Sequence, residues 1–254
     1  MLFRSRSEAG IGDEFINVRF MNHLKRLNIN PIWFTERKDL AKVFNNNHYK
    51  TITSLDELGV EDGEIYWCHS MDLPVLLNLK YEDLWNGPYI KATKKSNLTL
   101  NNKLKIGIRW QGNPDYDNDL HRSVPLKDIW ETIKDIDASF YSLQRDDGVE
   151  EVYNFPEIYP LHENHLDTFE DTLSVINDLD IIITTCTSIA HAAAAMDKKT
   201  FVFSPMSSYY IWCYSKNQPK SPWYGDNVKL LRQKRPRYWN EPLEELRKCL
   251  TGLL

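Results

Sequence analysis

Residues Thr184–His191 of this 254-residue chain gather hydroxyls and backbone amides at the point where a helix begins, directly after the β-branched run Asp180–Thr185. A helix N-terminus offers unpaired N–H groups and a partial positive charge, which suits a phosphate. Thr187 and Ser188 are the candidates to hold it. His191, about one turn further on, is positioned to face a bound diphosphate. The simpler reading is that Thr187 or Ser188 caps the helix, worth about 1 kcal/mol and requiring no ligand, and that His191 is a packed helical histidine. On this segment alone the cap suffices.

Three other segments carry side chains of use to the same chemistry. Gly10-Ile11-Gly12-Asp13 lies between a strand and a helix, and its glycines permit tight turning and close approach of another group. Asp13 is either an N-terminal cap or a carboxylate aimed at a substrate as general base. The loop Trp110–Ser123 contains Gln111, Asn113, Arg122 and Ser123, the last two just before Pro125 and a helix start. A cation and a hydroxyl there can grip phosphate oxygens, or the loop is a mobile surface segment with a charge-paired arginine. Ser142-Leu143-Gln144-Arg145 ends a strand where Gln144 can meet a nucleoside.

Several alternatives fail on spacing. Gly10-x-Gly12 lacks the third glycine of the dinucleotide fingerprint, and no acidic partner for a ribose is identifiable. His162-Glu163-Asn164-His165 puts its histidines three apart beside Pro160, not four apart on a helix face as a zinc protease needs. Asp115-Tyr116-Asp117 imitates a metal-binding Asp-x-Asp without the strand that should flank it.

The elements that must position these segments alternate. Strands are expected at Leu2–Arg4, Ile29–Thr35, Lys50–Thr53 and Glu64–Cys68, with helices from Asp13 (Ile16, Phe20, Leu24 and Leu27 on one face) and over Lys38–Phe44. The polar, lysine-rich stretch Lys91–Lys103 reads as the break. It divides the chain into an N-terminal unit 1–92, a linker 93–103 and a C-terminal unit 104–254. The second series has strands Leu104–Trp110, Ser139–Leu143, Asp180–Thr185, Thr200–Phe203 and Val228–Leu231, and helices Leu126–Ile136, Thr168–Leu179, the alanine-rich segment through Ala192–Ala195, and Pro242–Leu253. Such alternation is an α/β fold with mainly parallel sheets, and ligands then bind at the carboxyl ends of the strands.

Composition narrows the classes. Hydrophobic residues make up 42% and the net charge is −5, so a polyanion-binding role has no support. The basic run Lys229–Arg237 reads as a solvated edge that helps at most to attract a phosphorylated acceptor. Cys68, Cys186, Cys213 and Cys249 are dispersed, as expected of reduced thiols in a cytoplasmic protein. No stretch approaches a membrane span or a signal peptide.

Taken in order, the segments resemble the heptosyltransferase-like glycosyltransferases of family 9, and most nearly the glycosyltransferase-like domain that follows tetratricopeptide repeats in many bacterial proteins. Gly10-Ile11-Gly12-Asp13 is similar to the family's N-terminal Gly-x-Gly-Asp loop. Ile106–Pro114 resembles its G-x-x-W-x-G-N-P strand and loop, Asn118-Asp119 with Arg122-Ser123 its N-D…R-S, and Tyr141–Gln144 its S-L-Q. Thr187–His191 resembles D-T-S-x-A-H, and Ser221–Tyr224 with Arg232-Gln233 the closing S-P-W-Y…R-Q. The resemblance implies a GT-B fold, two Rossmann-like domains facing across a cleft. It implies a nucleotide-diphosphate sugar as co-substrate bound by the C-terminal half, an acceptor (glycan, lipid or protein) bound by the N-terminal half, no metal or other cofactor, and inversion. By position, Asp13 becomes the base; Thr187, Ser188 and His191 hold the pyrophosphate; Gln144 lies near the nucleoside; Gly12, Gln111, Asn113, Arg122 and Ser123 complete the donor site. Cys186 stands where most relatives carry Asp. The competing class is a catalytically silent nucleotide or sugar-phosphate binding module.

Overall fold

The computed structural model describes residues 2–6, 10–59, 65–162, 164–212 and 220–253. Glu64, Glu163 and Cys213, which belong to segments or sets named above, lie outside them.

The first half runs β1 (Leu2–Arg6), α1 (Ile11–Asn17), α2 (Phe20–Arg26), β2 (Asn30–Phe34), α3 (Lys38–Asn46), β3 (Thr51–Ile52), β4 (Ile65–His69) and α4 (Leu73–Leu76). Its strands form one parallel sheet in the order β3-β2-β1-β4. The second half runs β5 (Leu104–Arg109), α5 (Asp119–Arg122), α6 (Leu126–Ile133), β6 (Ala138–Ser142), β7 (Ile158–Pro160), α7 (Phe169–Asp178), β8 (Ile181–Thr185), α8 (Ser188–Ala195), β9 (Lys199–Ser204), β10 (Val228–Arg232) and α9 (Asn240–Thr251). Its strands form a second parallel sheet, β10-β9-β8-β5-β6-β7. Every residue of β8 is buried, as a strand covered on both faces requires.

The expected long first helix is two helices. Arg19, at their junction, turns its Nε back onto the Ile16 carbonyl at 2.6 Å, the acceptor that a continuous helix would offer to Phe20. The apolar face ends at Leu24, and Leu27 is 60% exposed. Segment Asp119–Arg122, read from sequence as loop, is a short helix, and Ile158–Pro160 adds an edge strand where a proline is tolerated.

The halves share hydrophobic cores. Phe15, Trp33 and Phe44 pack in one cluster with Leu173, Ile176 and Ile189, while Ile16, Phe20 and Leu24 join Trp212, Trp223 and Val228 in another. Phe15, Ile16 and Phe20 are 0% exposed, and burial of each contributes about 1.5–3 kcal/mol. The run Ala192–Ala195 is also wholly buried, its methyls letting α8 lie close to its neighbours. The connecting residues are tied to the second half: Thr93 Oγ1 donates to Glu170 at 3.2 Å, Ser96 Oγ to Asp178 at 2.5 Å, and Asn101 Nδ2 to Ser139 at 2.8 Å.

Candidate functional site

A cleft of about 800 Å³ opens where the carboxyl ends of the two sheets meet. The first half supplies Gly10 and, from the first turn of α1, Ile11, Gly12 and Asp13, where the sequence suggested a loop; the loop after β2 supplies Arg37. The second half supplies, among others, Arg109, Asn113, Arg122, Thr187, Ser188, His191 and Tyr209. Of the residues singled out from sequence, Gly12, Asp13, Asn113, Arg122, Thr187, Ser188 and His191 line this cleft; Gln111, Ser123 and Gln144 are not among its lining residues.

Thr187 is the N-cap of α8 by backbone conformation, with φ −133° and ψ 177°, yet its side chain makes no capping hydrogen bond. Its Oγ1 lies instead 3.3 Å from Thr184 Oγ1. A hydroxyl cap on the first amides of α8 is therefore not what this segment builds. Beside that helix end, Arg122 is braced on several sides. Its Nε donates to Asp119 at 2.7 Å, its Nη1 donates to the Cys186 carbonyl at 3.0 Å, and the guanidinium lies 4.6 Å from the centre of the Tyr116 ring. Ser123 Oγ donates to the other Asp119 oxygen at 2.8 Å and accepts from the Gly112 amide at 3.2 Å. Ser123 thus orients the carboxylate that orients Arg122. Gly112 is required by the same packing, since a Cβ there would overlap both the Arg122 guanidinium and the Asp119 carboxylate.

His191 is 4% exposed. Its ring stacks on Trp212 at 5.0 Å and 11°, and Nδ1 lies 2.8 Å from the Tyr224 hydroxyl. Burial, with Arg19 and Arg122 nearby, pushes its pKa down to about 3, so the ring is neutral at physiological pH. Gly12 rests on this ring: a Cβ on Gly12 would come within 2.8 Å of His191 Cδ2. The start of α1 and α8 therefore meet face to face.

Asp13 takes the helix-start role, at the third position of α1 behind the N-cap Gly10. One carboxylate oxygen accepts from the Gly10 amide at 2.9 Å, closing the capping box of α1, and the other accepts from the Tyr209 hydroxyl of the opposite half. Burial first, and the Asp13 contact second, raise the pKa of Tyr209, which keeps it a protonated donor. Cys186 accepts from Trp212 Nε1 at 3.0 Å through its sulfur, and so steadies the ring beneath His191.

Gln144 is 0% exposed and spends its amide on the backbone. Its Oε1 accepts from the Trp110 and Gln111 amides at 3.3 and 3.2 Å, and its Nε2 donates to the Gln111 and Asp147 carbonyls at 3.2 and 2.7 Å. It fastens two loops together behind the wall rather than presenting a polar group to a ligand. Gln111 packs against Gly148, where a Cβ would collide with its Oε1.

Sequence reasoning passed over Arg37, Arg109 and Tyr209 as individual site residues. Arg37 is delivered by a wholly buried carboxylate: Glu14, 0% exposed, accepts from Arg37 Nη1 at 2.6 Å, Thr35 Oγ1 at 3.0 Å and Trp33 Nε1 at 3.2 Å. The signal for Arg109 was present, an arginine closing the otherwise apolar strand Ile106–Ile108.

Among the described residues no group of three or more His, Cys, Asp or Glu side chains is arranged to hold a metal ion, and no helix is long and apolar enough to cross a membrane.

Two parallel α/β sheets with a cleft at their carboxyl ends, where the start of α1 packs on α8, define the GT-B class of fold. No protein-family model matches this chain, and no curated protein does. Solved structures do. The E. coli heptosyltransferase WaaC with ADP-2-deoxy-2-fluoro heptose is similar over 100% of this chain and 98% of that one, with a TM-score of 0.61 at 12% identity. The dodecameric iron-containing heptosyltransferase TibC in complex with ADP-D-beta-D-heptose is similar over 94% of this chain and 64% of that one, at TM-score 0.64 and 8% identity. A family 9 glycosyltransferase from Veillonella parvula follows, over 99% and 95%, at TM-score 0.58 and 9% identity. At these identities the shared property is the fold.

Proposed function

We propose that this protein is a glycosyltransferase that moves a sugar from a nucleoside-diphosphate donor to an acceptor hydroxyl, with inversion and without a catalytic metal. One observation carries the reading: a carboxylate, Asp13, lines the same cleft as the α8 N-terminus and Arg122 but belongs to the opposite half. In this reading Asp13 takes the proton of the acceptor hydroxyl while that oxygen bonds to the anomeric carbon. The bond from that carbon to the diphosphate oxygen breaks, and its electron pair leaves with the nucleoside diphosphate. The α8 amides and Arg122 stabilise the charge that develops there, and neutral His191 adds an N–H donor without adding charge. Base and leaving group act from opposite walls, so a single displacement inverts the configuration. The acceptor is a glycan, lipid or protein, and a cytoplasmic location belongs to the same reading.

The second reading, a silent nucleotide-binding module, is favoured by one feature: both Asp13 oxygens already accept hydrogen bonds, from Gly10 and Tyr209. Thermal-shift titration with ADP, UDP, GDP, CMP and dTDP, with and without EDTA, tests the donor site. ADP-heptose is the first donor to assay, because WaaC and TibC were solved with related ligands. Selective stabilisation by one diphosphate, unchanged by EDTA, together with release of that diphosphate from its sugar in the presence of an acceptor, is the expected result. Binding without turnover makes the silent module the better account, and no binding at millimolar concentration sinks both.

A further inference from the structure

Two arginines are buried in this molecule in opposite ways. Arg19 is 4% exposed and its guanidinium is well supplied: it donates to the carbonyls of Ile16, Leu84 and Trp223 and to the Tyr89 hydroxyl, and it lies over the rings of Tyr89, Trp223 and Tyr224. Arg109 is 8% exposed, at the carboxyl end of β5, and is poorly supplied. Its Nη1 donates to the Leu143 carbonyl at 3.3 Å, and its Nη2 stands 3.8 Å from Asp146, beyond hydrogen-bond range. Its Nε is buried with no partner among the described residues. A guanidinium carries five N–H donors and cannot shed its proton to escape a dry site. Leaving it so underused in a wall of the fold is costly. That cost has a use only if something else completes the set, and Arg109 lines the cleft.

We propose that Arg109 is an anion-binding residue of this cleft and that a nucleoside diphosphate bridges it and Arg122, with Arg109 on the phosphate nearer the nucleoside. Burial weighs most strongly against the protonated form of Arg109; Asp146 offsets part of this, and Arg122 adds to it as a like charge. Two cations drawn together on one wall are relieved by a ligand with more than one negative group. Arg122 is pinned to the Cys186 carbonyl just before α8, so it takes the sugar-side phosphate. Arg109 ends β5 beside the turn of Asp146 and Asp147 and takes the other. The assignment of the two ends rests on the nucleotide-sugar reading above; the existence of the anion site does not.

Isothermal titration of wild type, Arg109→Met, Arg109→Lys and Arg122→Met with ADP, AMP, adenosine and inorganic pyrophosphate tests this, with the melting temperature of each apo protein measured alongside. Arg109→Met should weaken ADP and AMP binding about thirtyfold or more, as expected when a buried charge partner is removed, and leave adenosine binding as it was. Its apo melting temperature should be unchanged or higher, since an underused buried charge is gone. Arg109→Lys should fall between, keeping charge and losing the fork. Arg122→Met should weaken ADP more than AMP. An Arg109→Met protein that melts lower yet binds ADP within threefold of wild type overturns the inference and leaves the transferase reading intact. Wild type that binds pyrophosphate through Arg109 but no nucleotide overturns the assignment of ends and the nucleotide-sugar reading, and keeps the anion site. Pyrophosphate binding that ignores Arg109→Met and Arg109→Lys alike removes the site.

Discussion

The C-terminal wall of the cleft holds Arg122, Thr187, Ser188 and His191, and behind them stand Asp119, Ser123, Trp212 and Tyr224, each fixing a neighbour. The N-terminal wall offers Gly10 with the first turn of α1, and Arg37, which leans on Glu14. One wall is a rigid grip built before any ligand arrives. The other is a carboxylate on the first turn of α1, tied across the gap by Tyr209. On the proposed reading, donor geometry is preorganised, whereas acceptor recognition is lean.

Replacing Asp13 should break this division most visibly. Asp13→Asn should cut turnover about 10²–10⁴-fold while ADP affinity stays within twofold in calorimetry. A matched loss of ADP affinity would mean that the walls do not divide the work. Tyr209→Phe removes a donor to a charged group, a bond worth about 1.5–3 kcal/mol in general, so kcat should fall roughly tenfold with little change in donor binding. An unchanged kcat would make the cross-cleft bond a resting-state contact only. Gly112→Ala probes the other wall. Its methyl must displace Arg122 or Asp119, so it should cost about 1–3 kcal/mol of stability by urea denaturation and weaken ADP together with it. Stability lost without affinity would show that Arg122 does not grip the ligand.

The smallest and most gradual effect follows from His191. Its pKa is lowered to about 3 from an ordinary 6.5, chiefly by burial. Between those values the unfolded chain binds a proton that the folded chain refuses, so stability falls as pH drops through that window, by at most about 1.4 kcal/mol per pH unit. Above pH 6.5 the residue contributes no slope. Urea midpoints at pH 7, 6 and 5 should decline more steeply for wild type than for His191→Gln. Equal slopes would mean that the ring opens to water.

Much of the fold was legible because buried parallel strands announce themselves: Ile181–Thr185 and Ile106–Ile108 are apolar runs bounded by polar turns. The turn from β8 into α8 was legible for the same reason, since the apolar run hands over to a hydroxyl-rich helix start. What escaped depends on contacts between distant residues. The break at Arg19 needs that side chain to find a carbonyl one turn back, and periodicity does not register a side chain that competes with the backbone. Gln144 sits at the expected strand end, but only the folded loops reveal that four backbone groups consume its amide. Tyr209 meets Asp13 across 196 positions of chain, and nothing local to either residue encodes the meeting.

The clasp around Arg19 also bears on how freely such halves can be exchanged. Its guanidinium projects from the first half onto the Trp223 carbonyl of the second and the Leu84 carbonyl near the connecting segment. A chimera that grafts another first half onto this second half would strand the Trp223 carbonyl and leave Trp223 and Tyr224 facing no cation, unless the graft brings an arginine to the same helix break. Modularity in this architecture therefore has a keyed joint, and the key is one side chain.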